Sequence, residues 1–280
     1  MISAKVDSQV CLITSDRGAW KVLTYVSVDQ QGWDSTLLTP RELSKGNITN
    51  VVDNELVSDK ASWRVIDRNV SANTVTLTTL RQRPVREALK AFIENATHTY
   101  TQPAFSIGGS SSASSNTNIE PGSKFYVLQT SLRFPSAARG NNSDARAGLK
   151  VLSSQYESTS IYYQWSNESM IIDRANSSAA ARATPGIQTS VEAGKLRLFD
   201  IYDQETGRTG VEKLDLTIIV DNAVVEVWVN ERFVMSTWVW SWYAASRGIE
   251  FWAEGCEDGV QFGETKVWEG LVDAWPERSR

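Results

Sequence analysis

With 280 residues, the chain can form one large domain or two moderate ones, and either can bury a substantial core. A formal charge of −5 and a pI near 5.1 disfavour nucleic acid or an anionic membrane as partner. No apolar run approaches the ~18 residues of a membrane-spanning helix, and the N-terminal segment, with its longest apolar run from Val10 to Ile13, reads as lacking a secretory signal.

The first 43 residues pattern as short strands. Runs at 10–14 and 20–28 are separated by a turn at Ser15-Asp16-Arg17-Gly18, and Gln31-Gly32-Trp33-Asp34 makes a second turn. So few strands leave open edges that need a neighbouring sheet. Short strands continue at 51–56, 62–67 and 74–80. Residues 83–96 form the one amphipathic helix: Pro84 suits its first position, and Val85, Leu89, Phe92 and Ala96 make one apolar stripe. Residues 103–122 contain GGSSSASSNTN and read as a mobile surface loop.

From Lys124 onward the chain reads as strand: 125–134, 147–153, 160–165, 169–173, 196–202 and 260–268, with a polar loop at 176–194. The strongest pattern lies at 214–255, where Leu214, Leu216, Ile218 and Val220 alternate, followed by Val225, Val227 and Val229 and an aromatic run to Trp242. Short polar breaks argue for hairpins. The expected fold is all-β, with an antiparallel β-sandwich at its centre.

Two cysteines, Cys11 and Cys256, make no disulfide framework, and the expectation is two free, buried thiols. Six Asn-X-Ser/Thr sequons occur, at Asn47, Asn69, Asn95, Asn141, Asn167 and Asn176, against about two or three by chance. That excess points to an extracellular glycoprotein, in conflict with the missing signal.

Several motifs, in order, carry a family resemblance. They are Ile172-Asp173-Arg174, Leu196-Arg197-Leu198-Phe199-Asp200, Leu216-Thr217-Ile218-Ile219-Val220-Asp221, Val225-Glu226-Val227-Trp228-Val229-Asn230 and Ser246-Arg247-Gly248-Ile249. The tail Trp268-Glu269-Gly270-Leu271-Val272-Asp273-Ala274-Trp275-Pro276 belongs with them. Together they resemble the C-terminal β-sandwich of fungal-type glycoside hydrolase family 32: the invertases, inulinases and fructosyltransferases. Upstream, Gly32-Trp33-Asp34 and Leu38-Thr39-Pro40-Arg41-Glu42-Leu43 are similar to the last blade of that family's catalytic propeller. The resemblance implies a concanavalin-like sandwich over 104–280, a linker over 83–103, and the remnant of the last propeller blade over 1–82. It implies a carbohydrate partner, sucrose or fructan, for a longer parent; no cofactor is expected, and one histidine with two distant cysteines leaves too few ligands for a zinc site. The family's acids lie in Asn-Asp-Pro-Asn, in Arg-Asp-Pro and in a Glu before Cys. None of these occurs here, so no catalytic residue is assigned and the chain alone is expected to be inactive.

A retaining glycosidase needs two carboxylates about 5 Å apart. Asp221 and Glu226 invite that role, but a turn and a strand face explain them better. Glu42 reads as an ion-pair partner of Arg41. The single histidine, His98, has no G-x-S-x-G elbow to serve. Trp238, Trp240 and Trp242 would share a strand face, with Trp228 on the preceding strand. Buried, they fill a core or a seam; exposed, they would make a ladder for sugar rings, which is the alternative of a non-catalytic carbohydrate-binding or interaction module.

Overall fold

The computed structural model describes residues 8–11, 38–58, 62–109, 113–136, 138, 144–184 and 186–271, with the backbone alone for 8–11, 109 and 113–117. The run at 20–28, the Gly32-Trp33-Asp34 turn, Asn141 and the tail beyond Leu271 lie outside the described residues.

The chain begins with β1 (Ser8–Cys11), β2 (Arg41–Val52), a helical turn α1 (Glu55–Ser58), β3 (Trp63–Asn69) and β4 (Thr74–Pro84). Helix α2 (Arg86–Glu94) follows, then β5 (His98–Gln102), β6 (Phe105–Gly109), β7 (Ala113–Ile119), β8 (Phe125–Arg133), β9 (Arg146–Ser153), β10 (Thr159–Gln164), β11 (Ser169–Asp173) and β12 (Glu192–Lys195). After them come β13 (Asp200–Asp203), β14 (Arg208–Val211), β15 (Leu214–Asp221), β16 (Val224–Val229), β17 (Phe233–Trp238), β18 (Gly248–Glu254), β19 (Cys256–Phe262) and β20 (Thr265–Glu269).

Two sheets make the sandwich. One runs β12-β11-β10-β9-β18-β7; the other runs β17-β16-β15-β8, and β8 is then shared by β19 and β20. Every strand alternates inward and outward, so the inward sets Leu214, Leu216, Ile218, Val220 and Val225, Val227, Val229 meet Leu149, Ile161 and Phe251 from the other sheet. Gly148 is required where β9 and β10 close up, because a Cβ there would collide with the Ile161 carbonyl and Tyr162. The expected all-β sandwich is thus the observed architecture.

The third sheet, β14-β13-β2-β4-β3 with β1 on β2, contains the stretch expected to be a propeller blade and is called the blade sheet below. Its small core is Val51, Val57, Val75, Leu77 and Phe199. The hairpin β13–β14, from within 104–280, joins this sheet through Ile201 opposite Val51. Phe199 packs edge-on against Trp63 with ring centroids 5.0 Å apart.

Three local expectations need correction. The Gly/Ser/Asn-rich run is not a loop throughout: β7 pairs with β18, Ile119 opposite Ile249 and Ala113 opposite Ala253. It lies at a sheet edge, where main-chain bonds hold the polar run and Ile119 at its end joins the core. The separate early segments fuse into the 12-residue β2, which keeps its pairing across a bulge between Ile48 and Val51, with Asn50 at φ 57°. Pro84 ends β4 opposite Arg41 instead of opening the helix, which starts at Arg86 after Val85. Leu89 and Phe92 of α2 then lie on Val127, Ile219 and Trp228, on the outer face of the sandwich.

Candidate functional site

β15 ends at Asp221, and Asn222, at φ 51°, turns the chain into β16. Ile219 pairs with Glu226 and Asp221 with Val224, so both carboxylates stand on the outer face as diagonal neighbours. Glu226 is 4% exposed. Its Oε1 accepts hydrogen bonds from Thr39 N (2.9 Å) and Thr39 Oγ1 (2.7 Å), whereas Oε2 has no hydrogen-bond partner among the described residues. Burial pushes its carboxyl above the usual range. The Thr39 bonds and the Arg41 charge oppose that rise, and the Asp221 charge adds to it. The role of Glu226 here is to hold the segment before β2 onto the sandwich.

The tryptophans divide. Trp228, Trp238 and Trp240 are buried, and Trp242 is 52% exposed. The rings of Trp238 and Trp240 stack at 5.6 Å and 7°, packed with Leu38 and Ile187. Trp228 sits under α2 with the Arg41 guanidinium 5.2 Å above its ring. The expected common face stops at Trp238 because β17 ends there. Beyond it the backbone leaves the ladder and the period of two no longer applies.

The seam between blade and sandwich is polar. Glu42 forms a two-pronged pair with Arg83 across the strand, Oε1–Nη2 2.8 Å and Oε2–Nε 2.9 Å. Arg41, its neighbour in sequence, points to the other face and donates to Gln82 Oε1 at 3.0 Å. In the turn after β16, Asn230 (φ 49°) and Glu231 (φ 50°) are both left-handed. This turn meets β4: Gln82 N donates to Glu231 O at 2.6 Å, and the Glu231 carboxylate pairs with Arg81. An open cleft of about 1360 Å³ lies beside it, lined among others by Asn47, Gln82, Arg133, Trp228 and Arg232. Its Glu212 is engaged by Arg232, Asn230 and the Phe199 amide. The lining can hydrogen-bond a hydroxyl-rich ligand, but Glu212 and Glu231 are occupied by cations rather than free for acid–base chemistry.

Among the described residues no cluster of His, Cys, Asp or Glu could hold a metal ion. His98 is exposed at the start of β5, its ring 4.5 Å from that of Tyr100. Cys256 is a free, buried thiol, pushed up to about 11 by burial, and the Cys11 side chain lies outside the described residues. The sequon asparagines Asn47, Asn69, Asn95, Asn167 and Asn176 are all exposed. Sequence reasoning passed over Glu157, a fully buried carboxylate that fixes the loop carrying Trp242. Its only signal was an acid inside the short polar link between two strands.

The family model for the C-terminal domain of glycosyl hydrolases family 32 matches residues 89–269. An Aspergillus kawachii β-fructofuranosidase, solved in complex with glycerol, superposes with TM-score 0.86 at 44% identity, over 98% of this chain and 44% of that one. A fructosyltransferase from A. japonicus gives 0.85 at 42%, over 97% and 41%. An exo-inulinase from Aspergillus awamori, at 14% identity and TM-score 0.58 over 97% and 42%, shares the fold. No curated protein matches the chain. The chain spans less than half the length of each of these solved relatives. It belongs to glycoside hydrolase family 32 and forms the C-terminal portion of a fungal-type member.

Proposed function

We propose that the chain is the sandwich-bearing part of a β-fructofuranosidase, and that the longer enzyme cleaves β-fructofuranosyl bonds of sucrose or fructan with retention. The observation that carries this reading is the match to the A. kawachii β-fructofuranosidase along nearly the whole chain. Residues 1–82 serve as the last blade, 83–103 as the linker and 104–280 as the sandwich. In this division the chain supports the chemistry and does not perform it. The burial of Glu226 supports that division, as does the absence from the sequence of the Asn-Asp-Pro-Asn and Arg-Asp-Pro motifs. An extracellular, glycosylated protein fits the five exposed sequons. The test is sucrose and inulin hydrolysis by the purified 280-residue chain, alone and mixed with the propeller portion of the A. kawachii relative. Fructose release at the buffer rate by the chain alone, with activity only in the mixture, is the expected result. Turnover by the chain alone would overturn the proposal.

A further inference from the structure

Three exposed aromatic side chains lie on two loops that Glu157 ties together at one end of the sandwich. Tyr156, Trp242 and Tyr243 are 49%, 52% and 40% exposed, and the rings of Tyr156 and Tyr243 lie 4.9 Å apart at 40°. Tyr156 comes from the link after β9, and Trp242 and Tyr243 from the loop between β17 and β18. Eight large hydrophobic residues are exposed among the described residues, and three of them lie on these two loops.

The base beneath them is built around a buried charge. Glu157 is 0% exposed. Its Oε1 accepts from Tyr243 N (2.9 Å) and Ser246 Oγ (2.6 Å), and its Oε2 from Trp242 N (3.0 Å) and Ala179 N (2.7 Å). The same loop is held from the other side by Lys124 Nζ, which donates to Ser241 Oγ (2.7 Å) and Ser241 O (3.2 Å). At the rim Arg182 Nη2 donates to Tyr156 O (2.9 Å) and to Asn176 Oδ1 (2.7 Å). The two loops are therefore fixed in place before any ligand arrives, which removes the ordering cost of binding.

We infer that Tyr156, Trp242 and Tyr243 form a platform on which one or two rings of a neutral oligosaccharide stack. Three half-exposed aromatic side chains offer roughly 300 Å². That is well below the ~800 Å² per partner of a stable protein interface, but it matches a ligand of a few sugar rings. Tyrosine and tryptophan present a flat apolar face to sugar C–H groups, and the hydroxyl and guanidinium groups at the rim meet sugar hydroxyls. The inference stands apart from the fructosidase reading, because the platform carries no catalytic group and its geometry lies within the sandwich alone.

The test is titration of the purified chain with inulin, xylohexaose and maltohexaose, read by tryptophan fluorescence and calorimetry. Saturable binding to at least one of them is expected. W242A and Y243A should weaken it tenfold or more with an unchanged circular dichroism spectrum, while Y156F, which keeps the ring, should retain it. Hydroxyl-radical labelling of Trp242 should fall when the bound sugar is present. No saturable binding to any of the three probes, or equal binding by W242A, would overturn the inference. So would protection of Trp242 only on mixing with the propeller portion of the A. kawachii relative, since the rings would then be a domain seam.

Discussion

The blade sheet and the sandwich are built from the same kind of strand but reach opposite degrees of self-sufficiency. Among the described residues, thirty-five buried ones form the sandwich core between two sheets. The described residues of the blade form one sheet with five buried core residues, one of which, Phe199, is supplied by the sandwich side of the chain. Its sheet is extended by β13–β14, and its strand β4 is gripped by the turn at Asn230–Arg232. On its far side Ile66 and Leu80 stand exposed at 48% and 51%. A single layer cannot bury both faces of a sheet, so the blade needs a neighbour and the sandwich does not.

Mutations in the two cores sharpen the contrast. The largest effect is expected at Phe251, fully buried and in ring contact with Phe105 and Phe262. F251A should cost about 3–5 kcal/mol in urea denaturation, and the whole chain should feel it. Leu77 is equally buried, but in the smaller core. L77A should cost about 2–4 kcal/mol there, loosening the blade while the sandwich transition stays in place. A single transition displaced equally by both variants would break the comparison.

A smaller effect comes from Glu226, at the joint between the two regions. Its folded-state carboxyl titrates above the usual range, mainly because of burial. The fold therefore favours the neutral acid, and this contribution is full below the ordinary glutamate value. It is lost as pH rises through the folded value. Melting temperatures measured from about pH 4 to pH 7 should fall for the wild type relative to E226Q, by on the order of 2 °C. Parallel curves for the two proteins would show that the carboxyl ionises without cost.

Much of the sandwich was legible because its strands bury one face and expose the other. The alternation from Leu214 to Val220 and the apolar stripe of α2 are direct consequences of periods of two and 3.6. What was hidden depends on partners far away in sequence. β7 was hidden because its polar run gives no alternation, and its place is set by pairing with β18 from about 135 residues later in the chain. The place of β13–β14 on the blade is fixed by Val51, about 150 residues earlier. The aromatic platform was half visible: Trp242 stood out, but Tyr156 joins it only because Glu157 ties the two loops together. The Asp221/Glu226 pair invited a chemical role in sequence, and in the structure Glu226 latches the segment before β2 through Thr39.

Amide hydrogen exchange read by mass spectrometry tests the central contrast most directly. Peptides from β8, β9, β15 and β16 should exchange last and as one block, at the rate of global unfolding. Peptides from β2, β3 and β4, together with β13–β14, should exchange earlier and as a separate block. Equal protection of the two sets would contradict the account, because the blade would then be as self-sufficient as the sandwich it leans on.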